Sequence, residues 1–420
     1  MHALHVSALY WPHRGGAETY LGELSERLVR EGNLVSVVTS DAGSVESFWS
    51  RRGQHLETLE ETHNGVRIHR YPVRALPGSP LSFYALRRLA MIISNLPLDT
   101  SSLLWRLARY MPWIPTFDDG LHSFPDSISL VHGVNLSFEY PVITAWRHAV
   151  SHGLPFVMTP LVHLGEPGKP SVVRHHTMRH QLEALRGSHK VITLTNLERQ
   201  YLITHLGVDA GRVETVGVGV NPPQLQGGDA RRFVKRYGLH APIVAFIGTM
   251  TYDKGAVHVM RAMEQLAARG IDAHLVMAGT PLSSFRRHLQ KMPSQVRARL
   301  TVLGPINEAE KRNLLAAAAV IAMPSRVDAF GIAYLEAWVN RKPVIGAQAG
   351  GVPEVIEHGR DGLLVPFGDV DRLADSLATL LTEEPLARQM GDRGYEKVMS
   401  AYTWDKVYRR ISTIYQELID

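Results

Sequence analysis

Short apolar runs alternate along this chain with stretches whose apolar positions recur every three to four residues. Residues 3–9 form an apolar run of strand length. Across Gly15-Gly16 follows 17–30, with Leu21, Leu24 and Leu28 on one helical face. Gly32 ends that helix, and 34–39 reads as a second strand. Residues 66–73, 128–134, 155–160 and 191–195 predict further strands, the last with a helix behind it. Alternation of this kind predicts an α/β fold with a mostly parallel, doubly wound sheet.

The pattern breaks at 213–223, where Val216-Gly217-Val218-Gly219-Val220-Asn221-Pro222-Pro223 reads as a linker. It then restarts. Strands are expected at 243–247, 274–278, 300–303, 320–324 and 343–346, and helices at 255–269, 308–318 and 331–340. The chain therefore divides into 1–217 and 218–401, two doubly wound Rossmann-like domains without a visible sequence repeat. Such domains facing across a cleft bind ligands at the carboxyl ends of their strands. An amphipathic segment at 402–420 carries Trp404, Val407, Ile411, Ile414, Tyr415 and Leu418. Residues 74–126 fit neither period for long. They hold two helix patterns with basic and aromatic rims, read as a helical insertion or as a surface that meets lipid or an apolar acceptor.

Composition narrows the function. The 420 residues are 45% hydrophobic and 20% charged, which is ordinary for a folded chain. Cysteine is absent, which excludes disulfides, thiolate metal sites and cysteine nucleophiles. A net charge of +5 is small for a dedicated nucleic-acid binder and suits an anionic ligand or a membrane surface. No secretory signal is read at the start, and no apolar run is long enough to span a bilayer. The expected location is cytoplasmic, with peripheral contact at the inner membrane face left open.

Three constellations carry chemistry. Gly15-Gly16-Ala17-Glu18 stands between the first strand and its helix, where glycine permits close backbone approach and the helix start offers free amides. It reads equally as a tight turn or an anion site. Gly248-Thr249-Met250-Thr251-Tyr252-Asp253-Lys254-Gly255 opens the helix after the first strand of the second half, and Lys254 suits a diphosphate or simply solvent. In Pro324-Ser325-Arg326-Val327-Asp328-Ala329-Phe330-Gly331-Ile332-Ala333-Tyr334-Leu335-Glu336-Ala337, two carboxylates eight apart flank a glycine turn and a helix start. The amides of Phe330, Gly331, Ile332 and Ala333 would be free donors for a phosphate. Asp328 and Glu336 would accept bonds from hydroxyls, and a sugar nucleotide satisfies both needs. Neither G-x-G-x-x-G after a strand with its distal acid nor G-x-x-x-x-G-K-[ST] occurs.

These segments resemble glycosyltransferase family 4, the retaining sugar-nucleotide transferases of GT-B fold. The 324–354 segment is similar to the family's P-S-x-x-E-x-F-G-x-x-x-L-E-A block, and the likeness continues as far as Gly350-Gly351-Val352-Pro353-Glu354. Gly359-Arg360-Asp361-Gly362-Leu363-Leu364-Val365-Pro366, Gly15-Gly16-Ala17-Glu18, Lys254-Gly255 and Thr195-Asn196-Leu197-Glu198-Arg199 match further landmarks. The resemblance implies transfer of a sugar from a UDP- or GDP-linked donor to an acceptor hydroxyl with retention, without a metal or other cofactor. It implies that Glu336 binds the donor ribose and Asp328 faces the donor sugar. Lys254 then meets the diphosphate, and the 330–333 amides cradle the distal phosphate. Gly15 and Gly16 approach the phosphates, Gly248 and Thr249 lie in the donor loop, and Ile306 meets the base. His163 falls beside the reacting sugar, so His163, Asp328 and Lys254 form the implied catalytic set. The 402–420 helix is expected to cross back to the first domain.

Two positions depart from the family pattern. Thr249 stands where the family has arginine, and Asp328 where it has glutamate; Arg14 and Arg326 are candidates for the missing charge. The departures leave an alternative, a non-catalytic or donor-altered homologue that binds nucleotide or glycan. No D-x-D stands near a strand end that forms the cleft, since Asp369-Val370-Asp371 begins a helix. His176 and His180, placed on one helical face, invite a metal reading, against a polar acceptor-side surface or a plain solvated helix. The acceptor is unassigned: the basic balance leans toward a lipid-linked or anionic one, while a glycan or small molecule stays open.

Overall fold

The computed structural model describes residues 1–124, 127–169, 171–240, 242–292 and 294–420. Its contacts group the chain into two units. The first comprises Met1–Val162, Val173–Gly217 and Tyr408–Asp420, and the second His163–Val172 and Val218–Val407.

The first unit carries eight strands: β1 (His2–Val6), β2 (Leu34–Ser40), β3 (Glu60–His63), β4 (Val66–Tyr71), β5 (Leu130–Val134), β6 (Phe156–Thr159), β7 (Lys190–Thr193) and β8 (Val213–Thr215). Their order is β3-β4-β2-β1-β5-β6-β7-β8. Every pairing is parallel except β3 with β4. β1 stops at Val6, short of the expected residue 9. The break in the pattern read from 213 starts later, because 213–215 is an edge strand on β7. Three residues are too few to show a period. Helix Gly16–Arg30 buries Leu21, Leu24 and Leu28 completely, as the heptad-like spacing requires.

The insertion holds three helices, Leu81–Ser94, Ser101–Ala108 and Phe117–Leu121, where the sequence pattern shows two. Its last two residues, Pro125 and Asp126, lie outside the described residues. Helix Trp404–Ile419 ends in the first unit, where the Tyr415 hydroxyl lies 3.1 Å from His5 Nε2 and also meets His132. Both histidines are fully buried. Burial alone holds His5 down at about 3, so each imidazole is neutral and works through hydrogen bonds.

The second unit carries β9 (Ile243–Ile247), β10 (His274–Ala278), β11 (Leu300–Gly304), β12 (Ala318–Met323), β13 (Val344–Ala347) and β14 (Leu363–Val365). All are parallel, in the order β11-β10-β9-β12-β13-β14. The chain builds outward from β9 through β10 to β11, then returns to β12 on the other flank of β9. That reversal is a topological switch point, where the loops after β9 and β12 diverge and leave a crevice.

Candidate functional site

The switch point gathers the predicted residues of the second half. Gly248 and Thr249 leave the carboxyl end of β9, and the same loop delivers Lys254 one residue before Gly255, the cap of helix Ala256–Ala268. β12 ends at Met323, and the following loop delivers Asp328. The Lys254 ammonium donates to an Asp328 carboxylate oxygen, closing the two loops across the crevice. His163 feels both charges. Burial holds its imidazole down at about 4, Lys254 adds to the fall and Asp328 opposes it. Burial pushes the Asp328 carboxyl up, but Lys254 leads the opposing effects and leaves it below the usual carboxylate range. At neutral pH Asp328 is therefore a carboxylate and His163 a neutral imidazole.

Glycines set the backbone around Asp328. Gly350 has φ of +60°, and a Cβ there would meet the Asp328 carbonyl oxygen at 2.3 Å. The Gly351 amide donates to that carbonyl at 3.0 Å, and the Gly350 amide to Gly165 O at 2.8 Å. Gly331 (φ +96°) is the cap of helix Ile332–Val339. The amides of Ile332 and Ala333 fall in that helix's first turn, where intrahelical acceptors are lacking. The Phe330 ring is buried against Tyr402, with ring centres 5.3 Å apart, so this residue offers the crevice its backbone only. Glu336 sits one turn inside the same helix. Its carboxylate accepts from Lys311 at 2.9 Å, and Lys311 also pairs with Glu308 at 3.1 Å. Burial pulls Lys311 down, yet Glu336 and Glu308 outweigh it and keep the ammonium firmly charged. Ile306 is half-buried just beyond β11, on the same carboxyl edge of the sheet.

The structure also corrects readings. Arg326, a sequence candidate for the missing diphosphate charge, pairs here with two carboxylates, Asp253 at 2.7 Å and Glu166 at 3.0 Å. Its guanidinium lies over the Phe367 ring at 4.8 Å. It joins three loops and leaves Lys254 as the cation beside Asp328. Sequence reasoning missed Glu166 and Lys311, because nothing local distinguishes either from a solvated side chain. Arg14 lies in the first unit, 5.5 Å from the centre of the Trp11 ring. His176 and His180 do not share a helix. His176 ends the 3-10 turn Val173–His176, while His180 belongs to helix Arg179–Gly187. Both are buried rather than solvated, and His180 lies 3.7 Å from Glu139. Among the described residues no group of three His, Asp or Glu converges as metal ligands.

In the first unit, Gly15 caps helix Gly16–Arg30 at the β1/β5 switch point. The turn already holds a carboxylate. Glu18, buried at the third helical position, folds back to accept the Gly15 amide. Burial pushes it up to about 7 against the pull of that bond.

A model of glycosyl transferases group 1 matches residues 229–397, and a model of a glycosyl transferase 4-like domain matches residues 15–219. The chain belongs to the family 4 glycosyltransferases. The D-inositol 3-phosphate glycosyltransferase of Corynebacterium glutamicum is 29% identical over 238 residues, 54% of this chain and 56% of that protein. The alpha-maltose-1-phosphate synthase of Mycolicibacterium smegmatis is 28% identical over 291 residues, 64% of this chain and 74% of that one. The chain thus spans little more than half the length of the first of these relatives. Two solved structures share the fold over nearly their whole length. Sucrose-phosphate synthase from Thermosynechococcus elongatus superposes with a TM-score of 0.75 at 20% identity, covering 99% of this chain and 98% of that one. Anabaena HepE in complex with UDP-glucose superposes at 0.71 and 16% identity, covering all of both chains. The chain accordingly has the two Rossmann-like units expected from its patterning and the GT-B fold that the resemblance implies.

Proposed function

We propose that this glycosyltransferase moves a sugar from a nucleoside diphosphate sugar to an acceptor hydroxyl, retaining the anomeric configuration. The observation that carries the reading is the Lys254–Asp328 pair with His163 at the second unit's switch point, next to the open first turn of helix Ile332–Val339. Cleaving the bond between the anomeric carbon and the diphosphate oxygen leaves charge on the diphosphate. Lys254 and the first-turn amides are the groups suited to stabilise that charge. Asp328 positions the sugar hydroxyls, and neutral His163 bonds to the sugar without adding a second cation. The acceptor oxygen attacks from the face the leaving group departs, and a diphosphate oxygen takes its proton. Glu336, held in place by Lys311, accepts from the ribose hydroxyls. No metal enters this scheme.

The complex of the Anabaena neighbour with UDP-glucose supports a nucleotide-sugar donor. The relatives' names are those of transferases and synthases, which does not favour a bare binding module. The test is a panel of UDP-, GDP- and ADP-sugars read by thermal shift and by release of free nucleotide. One donor should stabilise the chain and be turned over, and Lys254→Ala and Glu336→Ala should lose both effects. Stabilisation and turnover that survive in both variants would overturn the site.

A further inference from the structure

We infer that the insertion of the first unit is a docking surface for an anionic phospholipid bilayer. The inference does not rest on the transferase reading. It starts from helix Leu81–Ser94. A helix with one face on a core is expected to be polar on the other. The inner face of this one obeys: Phe83 and Ala90 are buried, and Leu86 and Ile93 pack with Leu104, Met111 and Met178. The outer face does not. Leu81 is 78% exposed and Ile92 62%, with Tyr84 and Leu89 between them on the same stripe. The outer face thus sets four exposed apolar side chains around the exposed Arg88.

The exposure is concentrated. Of the fourteen large apolar residues exposed among the described residues, seven lie within 81–103. Leu96 and Leu98, the latter 67% exposed, stand on the loop after the helix, and Leu103 on the next helix. That loop is not loose. Arg179 donates to the carbonyls of Leu96 at 2.5 Å and Leu98 at 2.6 Å, satisfying its backbone within the protein. The backbone of the leucine-bearing loop is thus held fixed.

Charge selects the occupant. Residues 81–109 contain four arginines and one acid. Arg88, Arg106 and Arg109 are exposed, and Asp99 is turned onto the Ser101 amide at 3.0 Å. Arg106 and Arg109 also line a hollow of about 680 Å³ with Trp105, Trp146 and Arg147, beside Asp118 and Glu183. Apolar prongs beside arginines and tryptophans match the layering of a bilayer with anionic headgroups. A second copy is disfavoured, since an isologous contact would set the same arginines against each other. No helix among the described residues is long and apolar enough to cross a membrane, so the surface lies on the bilayer.

The test is flotation of the full chain with vesicles of phosphatidylcholine alone or with 30% phosphatidylglycerol, a fraction of about one third chosen to give a strongly anionic surface. The wild type should float with the anionic vesicles and far less with the neutral ones. Ile92→Ser with Leu98→Ser should lower the partition at least about ten-fold, from lost apolar burial. Arg88→Glu with Arg106→Glu should lower it by about five-fold or more per arginine on the anionic vesicles alone. Leu59→Ser, exposed outside the patch, should float like the wild type. Thermal melts confirm that each variant is folded, and these exposed positions should not shift them. Wild type that floats with neither vesicle overturns the proposal, and so does flotation unchanged in both patch variants. Loss of a dimer in the Leu98→Ser chain, without vesicle binding by the wild type, assigns the face to a second copy.

Discussion

Lys254 and Asp328 stand 74 positions apart and meet as an ion pair between the loops that follow β9 and β12. The sheet order makes this meeting possible, because only the switch point brings the loops after the first and fourth strands of the unit side by side. The pair also sets the charge of its neighbours. Without Lys254, only the Ser325 hydrogen bond and His163 would oppose the burial that drives the Asp328 carboxyl upward.

Lys254→Met is therefore expected to act in two separable ways. Donor turnover should fall by about 10²–10³, the usual loss when one charge-stabilising group is removed. The Asp328 carboxyl should rise from below its ordinary range to above it, read by carboxyl-carbon NMR titration. In the wild type the Asp328 contribution to stability is present above the ordinary carboxylate range and is lost as pH falls through its depressed folded value. In the variant that acid-side loss should disappear. A turnover rate unchanged within two-fold, taken as about the noise of such a comparison, would remove Lys254 from the chemistry.

Glu166 and Arg326 should couple thermodynamically. Their 3.0 Å pair ties His163–Val172 to the loop bearing Asp328, and Asp253 holds the other side of the guanidinium. Both side chains are more than two thirds buried. A double-mutant cycle with Glu166→Gln and Arg326→Met, followed by urea unfolding, should give about 1–2 kcal/mol of interaction. If the loop matters for the site, Glu166→Gln should also lower kcat more than it raises the donor KM. Additive single effects would show that the clamp holds nothing.

What can be read from the chain divides along physical lines. The central strands and the helix of Leu21, Leu24 and Leu28 are long enough for their periods to show. The Lys254–Gly255 turn and the 324–337 segment carry their chemistry in a contiguous spelling, so their place at strand ends is legible. The two edge strands of the first unit, β3 and β8, are not. β3 is Glu-Glu-Thr-His with one face in water, and only the Asn64-Gly65 turn, with φ of +48° and +81°, marks its hairpin. The ion pairs of Arg326 are not legible in the sequence because its partners are 73 and 160 residues away. The burial of His176 and His180 is hidden for the same reason: it depends on the insertion and on Glu139, which only tertiary structure brings near.

Glu336→Gln should weaken donor binding without slowing chemistry at saturation. The carboxylate lies a full turn beyond the helix start, and Lys311 holds it in place at 2.9 Å. Replacing a charged acceptor with a neutral one costs about 1.5–3 kcal/mol, or about ten- to a hundred-fold in affinity. Isothermal titration with the nucleoside diphosphate gives the number directly. An equal loss with the sugar-free nucleoside diphosphate and with the full donor places Glu336 on the nucleoside. A loss with the full donor alone would move it to the sugar.

Glu18 makes the first unit's stability depend on pH in the opposite sense to Asp328. Its carboxyl is pushed from 4.5 up to about 7 because burial outweighs the amide bonds it accepts, notably from Gly15. A raised acid binds its proton more tightly in the folded chain. Its contribution is therefore full below about 4.5, declines as pH rises and is gone above about 7. The full span is on the order of 3 kcal/mol. Glu18→Gln keeps an oxygen for the Gly15 amide and removes the titration. Relative to wild type, the variant should gain stability at pH 8 and change little at pH 4.5. Melting temperatures of both chains across that range, differenced at each pH, isolate the effect from the buried histidines, whose loss on the acid side is common to both. A difference that stays constant with pH would show that Glu18 is ionised throughout, and that the turn at Gly15 holds a permanent negative charge.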